Sequence, residues 1–86
     1  MTVMTKRNKL EMKFAVLDAC MAPLKVTPLM CQTNMNQTVL KLIVAELVEK
    51  GLLTEKVVGN HSFFKTSAAG YELLKEWQRL AAVVEA

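Results

Sequence analysis

The stretch Thr27–Gly51, TPLMCQTNMNQTVLKLIVAELVEKG, followed directly by Leu52 and Leu53, decides the fold. Thr27-Pro28 predicts a helix start, with Thr27 as cap and Pro28 at the first helical position, where a missing N–H costs nothing. Leu29, Met30 and Cys31 give this short helix an apolar side as far as about Gln32. Thr33-Asn34-Met35-Asn36 then reads as a tight turn. Asn34 tolerates the left-handed conformation, Met35 points inward, and Asn36 caps the next helix. That helix runs from Gln37 to Lys50, with Leu40, Ile43, Val44 and Leu47 as its inward stripe. Gln37, Thr38, Lys41, Ala45 and Glu49 face away. Lys50 suits the negative helix end, and Gly51 supplies a left-handed stop over which Leu52 folds back. The unit is a helix, a turn and a helix.

Upstream, Leu10, Phe14, Leu17 and Met21 recur at three and four residues, widened by Ala15 and Val16, and predict a first helix. Asn8 and Glu11 make a capping-box pattern at its start, and Pro23 is expected to end it. Downstream, Leu52–Val58 and Ser62–Thr66 are strand-like runs around Gly59-Asn60-His61, a hairpin signal. Phe63 and Phe64 are adjacent, so only one of them can enter the core. Ser67 caps a last helix from Ala68 to the end, whose seam is Leu73, Trp77, Leu80, Ala81 and Val84, broadened by Leu74 and Val83. Its spacing resembles a short coiled-coil seam. The chain thus divides into a basic arm (1–8), a winged helix-turn-helix domain (9–67) and a C-terminal dimerisation helix (68–86). The fold class is mainly α (α+β): winged helix-turn-helix with a β-hairpin wing.

With 86 residues, 52% of them apolar, one small domain cannot bury its whole apolar surface, and a homodimer is the simplest cover. No apolar run approaches a membrane span, and the start lacks the apolar core of a signal peptide, which together predict a cytoplasmic protein with no membrane partner. Net charge is +3. Residues 1–43 hold six basic groups against Glu11 and Asp18, whereas residues 44–86 hold five basic against six acidic groups. A basic front half beside a helix-turn-helix suits a polyanion, and double-stranded DNA is the expected partner.

Lys6, Arg7, Lys9 and Lys13 are candidates for phosphate attraction, or equally a solubilising tail. On the recognition helix, Asn36, Gln37, Thr38 and Lys41 are candidates for base or phosphate contact; the plain alternative is a solvated face with one lysine. Val39 and Leu42 suit thymine methyls, a partner protein or the dimer mate. Lys25 and the wing residues Lys56, Asn60, His61 and Lys65 are further backbone candidates, although His61 reads more plainly as an exposed turn residue. Trp77 and the six methionines read as packing mass. Cys20 and Cys31 lack metal-ligand spacing and are expected to be buried thiols; with His61 they make only a weak three-ligand metal set, so no cofactor or metal is expected. One histidine, no Gly-rich phosphate loop and no inward carboxylate pair argue against an enzyme.

The segments Lys9–Leu17, Thr27–Leu53 and Phe64–Leu74, including the EKGLL and TSxxG motifs at Glu49–Leu53 and Thr66–Gly70, resemble the winged-helix transcription regulators, particularly the small archaeal type. The resemblance implies that Gln37, Thr38 and Lys41 face the major groove, that wing residues touch the sugar-phosphate backbone, and that the last helix pairs two subunits antiparallel. Val39 and Leu42 stand where those relatives usually carry polar or basic side chains, and Thr66 where they carry an apolar one. Two other readings stay open: a protein-interaction module of a transcription or replication assembly, and a nonspecific chromatin-like DNA-binding protein.

Overall fold

The computed structural model describes residues 9–85. The chain folds as α1 (Lys9–Ala19), α2 (Val26–Thr33), α3 (Gln37–Glu49), β1 (Leu53–Val58), β2 (His61–Thr66) and α4 (Ala68–Glu85). Among the described residues no helix is long and apolar enough to cross a membrane.

The turn chemistry holds residue by residue. Asn34 takes the left-handed conformation at φ 55° and its N–H bonds to Met30 O. Asn36 caps α3 by accepting the Val39 N–H at 2.8 Å, while Met35 is buried. At the far end Gly51 has φ 76°, its N–H reaches Val48 O at 3.0 Å, and the Leu52 N–H reaches Leu47 O at 2.9 Å. This paired closure satisfies two carbonyls that the helix end would otherwise leave open.

The start of α2 differs from the expected one. Thr27 lies inside the helix; the capping position is Lys25, in an extended conformation and without a side-chain cap. The cause is a bridge that no local pattern announces. Leu24 donates to Phe64 O at 3.0 Å and accepts from Phe64 N at 2.8 Å, so it forms a third stub of strand beside β2. The helix begins as soon as that pairing ends. Pro28 still falls in the first turn, where no backbone donor is needed.

α1 also stops early, at Ala19 and not at Pro23. The Thr66 N–H binds Cys20 O at 2.8 Å, so the hairpin captures the chain there. Leu10 and Met21, expected in the inward stripe, are 50% and 39% exposed. One lies in the first turn beyond the end of the core, and the other follows the helix. Burial centres instead on Phe14, Val16, Leu17 and Cys20, which meet Leu29, Leu40, Leu47, Leu53, Phe64 and Leu74. Thr66 is buried where an apolar residue is usual, and its hydroxyl donates to Leu17 O at 2.6 Å, filling one of the carbonyls left open at the end of α1. Burial holds the Cys20 thiol up at about 11, so it is unreactive. Cys31, in contrast to the expectation, is exposed.

The hairpin pairs Leu53 with Thr66 through to Val58 with His61, around a two-residue turn, Gly59-Asn60. Gly59 alone has positive φ (61°), as a II′-type turn requires at its first position. His61 is therefore the first residue of β2 and not part of the turn. Ser67 accepts the Gly70 N–H at 3.1 Å and donates to Gly51 O at 2.6 Å, joining the start of α4 to the end of α3. A Cβ at Gly70 would lie 2.2 Å from Leu52 O. That contact explains the glycine of TSxxG: α4 crosses the EKGLL backbone too closely for any side chain.

Candidate nucleic-acid interface

On α3 the buried row Leu40–Ile43–Leu47 fixes which side is presented. At 100° per residue the opposite ridge is Thr38, Leu42, Ala45 and Glu49, all exposed. Gln37 and Lys41, also exposed, lie on the flank toward the hairpin; Val39 and Glu46, half-buried, lie on the flank toward α1. Leu42 is 68% exposed and stands between two grooves. The one toward the hairpin, about 900 Å³, is bordered by Lys41, Val44, Val48, Glu49, Glu55 and Phe64. The one toward α1, about 340 Å³, is bordered by Lys9, Met12, Val39 and Glu46.

Electrostatics separate those flanks. Glu46 accepts a hydrogen bond from Lys13 Nζ at 2.8 Å and lies 3.3 Å from Lys50 Nζ and 3.5 Å from Lys9 Nζ. The hydrogen bonds from Lys13 and Lys50, with the neighbouring charge of Lys9, hold its carboxyl down at about 2. Lys9, named as a phosphate candidate from sequence, is therefore engaged by a carboxylate of the same chain. On α4, Lys75 and Arg79 pair with Glu72 and Glu76. Among the described residues, Lys25, Lys41, Lys56 and Lys65 form no ion pair.

Three of these four belong to the wing side. Strand alternation puts Leu53, Glu55, Val57, Ser62, Phe64 and Thr66 on the inward face of the hairpin. Thr54, Lys56, Val58, His61, Phe63 and Lys65 share the other face, which holds no carboxylate. Lys25 Nζ sits 5.8 Å from the Phe63 ring centroid. Lys25, Thr27, Asn60 and His61 also border one cleft of about 390 Å³ between the start of α2 and the hairpin turn. Phe64 is thus the core phenylalanine, and Phe63 the half-buried centre of a cationic patch.

Of the residues named from sequence, Gln37, Thr38 and Lys41 come together on α3, and Lys56, Asn60, His61 and Lys65 on the wing, with Lys25 beside it at the start of α2. The two groups border opposite faces of the hairpin. Asn36 accepts the cap bond at its side-chain oxygen and keeps the two donors of its amide group for another partner. Lys6 and Arg7 lie outside the described residues. Sequence reading missed Glu46, whose partners Lys9 and Lys13 are more than thirty positions away; no local pattern carries that pairing. Among the described residues no group of three His, Cys, Asp or Glu could hold a metal ion.

On α4, Leu74 is buried and Trp77 stacks on Phe14 with ring centroids 4.5 Å apart and planes 7° apart. Leu73, Leu80 and Val84 are 42%, 61% and 81% exposed, and with Trp77 they form a seam at spacings of four, three and four along the helix. Ala81 is half-buried beside it.

A sequence model described as winged helix-turn-helix matches residues 6–85. The chain belongs to that family. The winged helix superposes on Sso10a-2, a DNA-binding protein from Sulfolobus solfataricus, with a TM-score of 0.83 at 20% identity over 92% of this chain and 83% of that one. It superposes on AF1382 from Archaeoglobus fulgidus with a TM-score of 0.78 at 11% identity over 88% and 90% of the two chains. The transcriptional regulator BldR from Sulfolobus solfataricus gives 0.77 at 20% identity, over 86% of this winged helix and 57% of BldR. At these identities the likeness is one of fold. Among curated proteins, none matches by sequence.

Proposed function

We propose that this winged helix is a DNA-binding transcriptional regulator, acting as a homodimer with α3 in the major groove. The observation that carries the reading is the exposed first half of α3. Gln37–Ala45 presents Gln37, Thr38 and Lys41 and holds one charge, the unpaired Lys41. The positive end of the helix dipole lies in the same half. Lys25, Lys56 and Lys65, free of carboxylates, supply phosphate contacts around the wing. The similar folds of a DNA-binding protein and a transcriptional regulator support the assignment.

The homodimer rests on α4. Its seam of Leu73, Trp77, Leu80 and Val84 continues past the domain that Leu74 and Trp77 anchor, and a second copy of α4 covers it with the same residues. Two recognition helices then engage one operator, the second contact following as a local event. The protein is expected in the compartment that holds its DNA, the cytoplasm of a prokaryotic cell.

A second reading has its own support. The α1 flank of α3 is neutralised by Glu46, and Leu42 is 68% exposed, as a protein-interaction module would require. Duplex binding by the Gln37→Ala/Lys41→Ala variant separates the two. The regulator predicts at least tenfold weaker binding with an unchanged dimer, the scale of one or two groove contacts. Unchanged duplex binding would favour the module.

A further inference from the structure

Leu42 is the one large apolar side chain of the outward ridge of α3, and the proposed contacts leave it without a role. It is 68% exposed, one turn from Thr38 and just under one turn from Ala45, with a groove on either side. Leu42 thus heads an apolar crest made of its own isobutyl group, the Ala45 methyl and the Thr38 methyl. The surroundings of this crest suit a nucleic-acid groove better than an apolar protein surface. The nearest unpaired charge on the helix is Lys41, no carboxylate of α3 precedes Glu46, and Glu46 is covered by Lys9, Lys13 and Lys50, while Glu49 and Glu55 border the groove on the hairpin side. Within the major groove only one base edge offers an apolar group, the 5-methyl of thymine.

We propose that Leu42 is a specificity residue that reads thymine, its side chain packing on a 5-methyl group while Lys41 and Gln37 fix the register. The inference rests on the assignment of α3 to the major groove. It makes the operator one with thymine under the middle of α3 in each half-site. Because the contact is apolar, it contributes discrimination without adding to the salt dependence of binding.

The test removes the methyl and leaves every hydrogen bond of the base pair in place. Duplexes selected from a random pool by the full-length protein are remade with each thymine replaced singly by deoxyuridine. Affinities are read by fluorescence anisotropy for the wild type and for Leu42→Ala. Leu42 is exposed and alanine is a strong helix former, so the variant is expected to keep its fold, checked by its melting temperature. At one thymine per half-site the wild type should bind the deoxyuridine duplex about fourfold more weakly, the value of one buried methyl. Leu42→Ala should bind both duplexes equally. A wild type that binds tightly and ignores deoxyuridine at every position overturns the thymine reading and leaves the DNA assignment standing. A penalty that persists in Leu42→Ala overturns it also, by giving the methyl to another residue. Failure to bind any duplex at low salt defeats the DNA assignment itself, and this inference with it.

Discussion

The α1 side of α3 and the outer face of the hairpin gather three lysines each and treat them oppositely. Toward α1, Lys9, Lys13 and Lys50 converge on the single carboxylate of Glu46. Toward the wing, Lys25, Lys56 and Lys65 surround Phe63 with no carboxylate on their face. The first arrangement docks α1 onto α3; the second leaves charge available to a polyanion. Counting charge along the chain points the other way, because residues 1–43 carry the basic excess. Where a lysine can act depends on which carboxylate the fold delivers to it.

The largest effect is expected from separating the two subunits of the proposed homodimer. Leu80→Glu with Val84→Glu sets charges into the α4 seam of both copies. Sedimentation should then show a monomer, with both flanks of α3 unaltered and operator affinity lowered by orders of magnitude. A variant that remains dimeric would place the interface elsewhere.

The contrast also requires that the hairpin be held in place, which falls to the crossing of α4 over Leu52. Gly70→Ala puts a methyl against a backbone oxygen that cannot swing aside, and should cost about 2–3 kcal/mol in denaturant unfolding, at the upper end for overpacking. A loss below about 0.5 kcal/mol, the range of ordinary surface changes, would show that the crossing gives way easily.

A smaller effect sharpens the α1 side. The folded state holds the Glu46 carboxyl at about 2, below its ordinary 4.5. A depressed carboxylate contributes stability that is fully present above about 4.5 and is lost as pH falls toward 2. Unfolding measured across that window should fall more steeply with acid for the wild type than for Glu46→Gln. Parallel curves would mean that the lysine cluster does not persist in solution.

Much of the fold is legible in the sequence because its signals are local. Asn34, Asn36, Gly51 and Ser67 each act on backbone groups within a few positions, and each does what its chemistry suggests. The missed features are long-range. Leu24 pairs with Phe64, Thr66 captures Cys20, and these two contacts move the start of α2 and the end of α1. Leu10 and Met21 fit the helical period, yet the core ends before it reaches them. The candidate site follows the same rule. Helical period alone puts Gln37, Thr38 and Lys41 on the outer side of α3. The pairing of Lys9 with Glu46, and the sorting of Lys56 and Lys65 onto the far hairpin face, needed the packing of distant elements.

In the proposed DNA-binding mode, the free positive charge resides on the wing and not on α1. Duplex affinity measured against salt, for Lys25→Ala/Lys56→Ala/Lys65→Ala and for Lys9→Ala/Lys13→Ala, tests it most directly. Each lost phosphate contact should flatten the slope of log K against log salt by about 0.9, so the wing variant should lose roughly 2 to 3 from the slope and the α1 variant almost nothing. The reverse pattern, a flattened slope for the α1 variant and an unchanged one for the wing variant, would contradict the account.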